Sequence, residues 1–337
     1  MKKVFVFSRT HCGHRDDYNA VSLDAMRTAG IDPVLVDTIR SRHTIGQSIF
    51  FPMIEEDVSS FLISVLVGCF THHPVVGLLF RPAECFQHRW VSFIKRVIFR
   101  ALRPLSWVTV VTILPFSVDA RFAKIADDWI YDPQMWDADL LAPGSGSKET
   151  LLQSQIRQAA AGRRIVVALG RQDRDKGFDF LCSIWSNSEE LRRRYLFVAV
   201  GRVATASRHL AERFEAGGGV VVDRFVDNQE MWGLYEVADL IWGCYAPNYN
   251  QASGICGRAF QCGVPIIMRK DSYMAAAMRD LGHAILEVEF DKANAAAAQI
   301  IEWIAGQKAR GTNNLVVREM SDRFTQVVIS KYLSATG

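Results

Sequence analysis

The chain has 337 residues, long for one hydrophobic core and enough for two ordinary domains. With 49% hydrophobic and 22% charged residues it is not a disordered chain, and a net charge of +3 gives no case for a nucleic-acid partner. Seven cysteines, an odd number with no C-x-x-C, argue against a disulfide scaffold or a structural zinc site and point to reduced thiols.

Val4 to Phe7 is an apolar run that reads as a first strand. It is too short for a secretory signal, so the expected location is the cytoplasm. A polar loop, Ser8 to Asp17, leads into an amphipathic helix that Gly30 closes, and Pro33 to Val36 reads as a second strand. The loop carries Arg9, His11, His14, Arg15, Asp16 and Asp17. In an open α/β sheet such a loop lies at the carboxyl edge, where ligands bind, although any connection there would be polar.

Phe61 to Phe70 reads as a buried helix and Val75 to Phe80 as a strand, with His72 and His73 as turn residues between them. Neither run reaches the ~20 residues that span a bilayer. Gln87 to Trp107 holds Arg89, Lys95, Arg96, Arg100 and Arg103 and no acid. Arg89, Arg96, Arg100 and Arg103 share one helical face, and Trp90, Ile94, Val97, Ile98, Ala101, Leu102 and Leu105 cover much of the rest. Two readings stand: a helix that docks reversibly on an anionic membrane surface through Arg96, Arg100 and Arg103, or a core-packing helix with a basic solvent face. Val108 to Ile113 and Trp129 to Tyr131 read as strands. Asp137-Ala138-Asp139 and Asp173-Arg174-Asp175 match the D-x-D spacing of metal-bound sugar nucleotides, as chance also allows, and no metal is expected.

Ala142 to Ser147, APGSGS, reads as a linker to a second α/β series. Strands are expected at Ile165–Leu169, Leu196–Val200 and Val220–Val222, and helices at Phe178–Trp185, Thr205–Glu215 and Gln229–Val237. Two further helices, Ala293–Gln307 and Val316–Tyr332, end the series. The stretch LIWGCYAPNYNQASGICGRAFQCGVPIIM, Leu240 to Met268, organises this half: strand, turn-rich loop, helix from Gly254 to Cys262, and strand. Ser253 is placed to cap that helix, whose first amides would attract phosphate or simply follow an ordinary loop. Gly170 follows an earlier strand, and Arg171 and Lys176 flank the next turn, where a guanidinium and an ammonium could neutralise a diphosphate.

LGRQDRDKGFDFL resembles the "GR…KG…" segment of GT-B glycosyltransferases, especially the large retaining group (glycosyltransferase group 1 type) that uses nucleotide-sugar donors. Tyr235 to Leu240 is similar to their "Y…AD" strand entry, and Ala259 to Ile266 to their "EAMACGxPV". The likeness covers roughly residues 160 to 270, with the three motifs in register. It implies an α/β fold of two Rossmann-like domains facing each other across a cleft. Residues 1–145 would form the acceptor-side domain and 146–315 the donor-binding domain, with a C-terminal helix, 316–337, packing back towards the first.

The resemblance also implies roles. Gly170, Arg171 and Lys176, with the backbone of Ser253, Gly254 and Ile255, would hold the donor diphosphate. The family's two glutamates, eight positions apart, fall on Asn250 and Arg258. Arginine cannot accept hydrogen bonds from a ribose diol, so the ribose is held otherwise, or Arg258 meets phosphate, or the donor differs. The expected activity is metal-independent hexosyl transfer with no cofactor, the nucleoside-diphosphate sugar being a co-substrate. The acceptor would be a saccharide, or a lipid-linked saccharide in cell-surface polysaccharide synthesis at the inner face of the membrane. An inverting enzyme would draw its base from His11, Asp16 or Asp17, whereas a retaining one would depend on Asn250. An inactive relative that binds a nucleotide or a partner protein, and a nucleotide-sugar epimerase, are the alternatives.

Overall fold

The computed structural model describes residues 2–9, 14–39, 46–136, 149–303 and 314–334, with backbone only at 14–17 and 314–315. The chain forms two compact units, Met1–Leu140 with Asn314–Gly337, and Leu141–Asn313. The proposed linker and the pair Asp137 and Asp139 lie outside the described residues.

The first unit is built on a six-stranded, all-parallel sheet in the order β2-β1-β3-β4-β5-β6. Its strands are β1 (Lys2–Phe7), β2 (Ile31–Val36), β3 (Ile49–Phe51), β4 (Val75–Leu79), β5 (Val108–Thr112) and β6 (Asp128–Trp129). Pro33 has no amide to donate and sits in β2 at the sheet edge, where that loss is tolerated. Helix α1 (His14–Thr28) begins earlier than expected and takes in Asp16 and Asp17. Helix α2 (Val58–Thr71) starts on Asp57, whose carboxylate accepts from the Ser60 amide, and ends at His72 in a left-handed turn. Helix α3 spans Trp90–Leu102. Phe5, Phe51, Phe61, Val65, Phe99 and Val110 share this unit's core.

The second unit repeats the plan with the strand order β12-β11-β10-β7-β8-β9, again all parallel. Here the strands are β7 (Arg164–Leu169), β8 (Tyr195–Val200), β9 (Val220–Val222), β10 (Leu240–Gly243), β11 (Ile266–Arg269) and β12 (Ile285–Val288). Between and around them lie α4 (Leu151–Ala160), α5 (Phe178–Asn187), α6 (Glu189–Arg194), α7 (Arg208–Ala216), α8 (Asn228–Val237), α9 (Gly254–Gln261), α10 (Tyr273–Asp280) and α11 (Ala293–Glu302). Local chemistry sets the starts. Thr150 and Gln153 form a reciprocal capping box on α4, and Asp227 accepts from the Glu230 amide at α8. Trp185, Trp242, Phe178, Phe197 and Phe214 fill the core.

The last segment, α12 (Asn314–Phe324), a π-helical turn (Thr325–Ile329) and α13 (Ser330–Leu333), belongs to the first unit. Arg323 donates to the Trp129 carbonyl and the Asp128 carboxylate, with its guanidinium 3.7 Å from the Trp129 ring centroid. Tyr332 is fully buried and its hydroxyl donates to the Ile49 carbonyl at 2.9 Å.

Candidate active site

In the second sheet the chain runs outward through β7, β8 and β9, then returns to lay β10 on the other side of β7. The carboxyl ends of β7 and β10 therefore flank a reversal of strand order, the usual ligand crevice of an open α/β sheet. After β7 the chain turns through Gly170 at φ 89°. A Cβ on Gly170 would stand 3.0 Å from Ile255 Cδ1, in the first turn of α9. Arg171 is 69% exposed, with Nε 3.1 Å from Asp173 Oδ2. Asp173 also accepts from the Lys176 amide at 3.0 Å, which fixes the turn carrying both cations.

The Lys176 side chain reaches across to the loop after β10. Its Nζ donates to the Tyr249 hydroxyl at 2.8 Å and lies 4.3 Å and 4.2 Å from the ring centroids of Tyr245 and Tyr249. The backbones meet as well. Gly177, at φ 70°, lies so close to Cys244 that a Cβ would come within 2.2 Å of its carbonyl oxygen. Trp242 Nε1 donates to the Lys176 carbonyl at 3.2 Å.

Ser253 stands at the cap position of α9, but its hydroxyl does not cap the helix. It is 3.0 Å from the hydroxyl of Tyr245, the ring beneath Lys176. The helix start thus has no side-chain cap, and its first amides keep their capacity for an anion. Tyr235 pins this turn from below, donating to the Ile255 carbonyl at 3.0 Å. Lys176, Tyr245 and Ser253 form a continuous path from the ammonium to the mouth of α9.

The two departures from the family pattern sit differently. Asn250 lies on the same loop, and its Oδ1 accepts from Arg269 Nη2 and from the Tyr273 amide, each at 3.2 Å. Arg258 is only 3% exposed. It donates to Gln261 at 3.0 Å and lies 5.4 Å from the Trp232 ring centroid, joining α9 to α8. Asp175 of the second D-x-D match accepts from the Asn248 side chain. Among the described residues no three His, Cys, Asp or Glu side chains gather as a metal-binding group.

In the first unit the strand order reverses between β1 and β3. His11 lies outside the described residues; Asp16 and Asp17 are placed by backbone alone, in the first turn of α1. Sequence reasoning did not single out the acids that follow β3. Arg9 Nη1 is 2.9 Å from Asp57 Oδ2, and the Arg9 amide donates to Glu56. Burial works to raise the Asp57 carboxyl, but hydrogen bonds from Ser59 and Ser60 and the nearby Arg9 charge bring it down to about 2. Glu55 accepts from the Arg81 amide at 2.6 Å, and burial pushes its carboxyl up. The signal was the run Glu55-Glu56-Asp57 just past the short apolar stretch Ile49–Phe51.

Helix α3 presents a mainly apolar side to solvent. Its buried residues are Ser92, Phe99 and Leu102, whereas Trp90 (74% exposed), Val91, Phe93, Ile94 and Val97 face solvent. The helix packs on the core through Phe99 and Leu102, but its solvent side is mainly apolar where the core-packing expectation had it basic. Arg100 is exposed on its flank, Arg96 lies against the rings of Phe86 and Phe93, and Arg103, just past the helix, pairs with Asp127 at 3.6 Å. No described helix is long and apolar enough to cross a membrane.

Comparison of the sequence with protein-family models and with curated proteins gives no match. Solved structures do match over the whole chain. A glycosyltransferase from Rickettsia africae aligns with TM-score 0.65 and 12% identity, covering 99% of each chain. A UDP-forming alpha,alpha-trehalose-phosphate synthase from Burkholderia vietnamiensis gives 0.62 and 11%, covering 100% of this chain and 98% of that one. HepE from Anabaena, in complex with UDP and glucose, gives 0.59 and 13%, covering 99% and 98%. Two parallel six-stranded sheets and matches that run from end to end give this chain the GT-B fold of nucleotide-sugar glycosyltransferases.

Proposed function

We propose that the protein transfers a sugar from a nucleoside-diphosphate sugar to an acceptor hydroxyl, with the second unit holding the donor. The observation that carries this reading is the meeting of Lys176, Gly170 and the uncapped start of α9 at the β7/β10 reversal. A leaving diphosphate gathers negative charge. Arg171, Lys176 and the first amides of α9 would supply the donors that stabilise it, and that role needs no metal. The solved structures of the same fold with UDP or UDP-glucose bound support a donor of this class. His11, Asp16 and Asp17 are the candidate bases for the acceptor proton.

The acceptor reading is a saccharide, with a lipid-linked saccharide of cell-surface polysaccharide synthesis as the specific case. It rests on α3, whose outward apolar side is flanked by Arg96 and Arg100 and suits the anionic inner face of a membrane. Liposomes containing anionic lipid should capture the protein at low salt in a flotation assay, and glutamate at Arg96, Arg100 and Arg103 should release it. Absence of capture at low salt removes the membrane from the proposal.

The donor test is a thermal-shift panel of nucleoside diphosphates and their sugars. A ligand at 100 times its Kd adds about 2.7 kcal/mol to the native state and raises the melting point. Arg171→Ala and Lys176→Ala should each abolish transfer and leave the unliganded melting point within a few degrees. Full activity in either variant overturns the reading. Binding without turnover on any acceptor would instead identify an inactive relative, and a changed sugar without acceptor an epimerase.

A further inference from the structure

Arg269 closes β11, at the same carboxyl edge as the donor loops but on the far side of β10 from Lys176. It is half-buried and makes no ion pair among the described residues. Its Nε donates to the Tyr245 carbonyl and its Nη2 to Asn250 Oδ1, each at 3.2 Å, and both partners are neutral. Burial pulls its pKa down, while Cys244 and the Asp271 carboxylate nearby work to raise it. The two cations grip one loop from opposite sides, Lys176 through Tyr245 and Tyr249, Arg269 through Tyr245 and Asn250.

Arg269 lines a small cavity with Tyr245, Tyr249, Asn250, Gln251 and Ser272. The start of α10 adjoins it, its Tyr273 amide bonded to the same Asn250 oxygen. Arg269 Nη1 and the Asn250 amide nitrogen make no protein hydrogen bond among the described residues. A forked guanidinium beside a free amide donor matches a carboxylate.

We propose that Arg269, with Asn250, forms a carboxylate subsite that selects a donor whose sugar is acidic, a nucleoside-diphosphate uronate. The diphosphate belongs to Arg171, Lys176 and α9, and the subsite lies across the loop, where the next part of the donor is read. This inference rests on the donor reading above.

The experiment measures Kd on the full chain by titration calorimetry for three ligands sharing one base: UDP, UDP-glucose and UDP-glucuronate, or GDP, GDP-mannose and GDP-mannuronate. The thermal-shift panel decides which set is used. The wild type should bind the uronate conjugate at least tenfold tighter than the neutral one. Arg269→Gln should erase that preference and leave the nucleoside diphosphate within about twofold, and Arg269→Lys should restore part of it. The unliganded melting points of both variants control for folding. Equal or tighter binding of the neutral conjugate by the wild type overturns the subsite. So does a preference that survives in Arg269→Gln, or loss of the bare nucleoside diphosphate in that variant, which would make Arg269 a phosphate ligand. If no nucleoside diphosphate binds the wild type, the donor reading fails and takes the subsite with it.

Discussion

Asp57 shows how one carboxylate serves an element and a strand edge together. It caps α2 through the Ser60 amide, accepts from the Ser59 and Ser60 hydroxyls and pairs with Arg9. Asp57→Ala should cost about 1–2 kcal/mol, as loss of a helix cap does, read as a lower urea midpoint. Its folded pKa of about 2 lies below the ordinary 3.8. Its contribution is therefore complete above about pH 4 and is lost as pH falls towards 2, so the wild type and Asp57→Ala should converge in stability across that window. Gly177 is the harder constraint. A methyl there meets a backbone carbonyl at φ 70°, so neither side chain nor solvent can yield. Gly177→Ala should destabilise by about 2 kcal/mol or more and weaken donor binding, since the Lys176 turn must move. Arg171 and Lys176 were legible in the sequence as cations after a strand. The two tyrosines beside Lys176 were not, because more than sixty positions separate them from it and no local pattern encodes that meeting.

Elements were readable where periodicity was long and end signals were clear. Strand β10 and helix α9 fall within a residue of their expected limits. Strand β3 has three residues and sits between Ser48 and Pro52, too short for alternation to register, so the acids behind it went unseen. Helix α3 was recognisable as amphipathic, but which side meets the sheet depends on what the sheet offers. Phe99 and Leu102 fill that contact, leaving Trp90 and Phe93 outside. The start of α9 is a second case. Ser253 has the right identity and position for a cap, yet Tyr245 takes its hydroxyl. Ser253→Ala should then cost about 1 kcal/mol through that one bond, and Tyr245→Phe a similar amount. Because both remove the same bond, the double variant should lose little more than either single one, measured as a double-mutant cycle on denaturant midpoints. Strict additivity would mean that the two hydroxyls act separately.

At the level of the whole molecule, each unit has its own sheet and core, and the last segment is committed to the first. Met320, Phe324, Val328 and Tyr332 are buried, and Tyr332 reaches the carbonyl of Ile49 in β3. Deleting residues 314–337 should therefore unfold or greatly weaken the first unit. The second unit should keep its nucleoside-diphosphate affinity, assayed by calorimetry on the shortened chain. Loss of both together would show that the units depend on each other for stability.

The pairing of Lys2 with the carbonyl of Tyr332 carries a consequence for how the polypeptide is made. Domains fold as they leave the ribosome, at about 5–20 residues per second. Strand β1 would emerge well before its closing helices and wait for them until the entire second unit has been synthesised. The second unit should become protease-resistant on nascent chains before the first does, reversing the usual order of maturation.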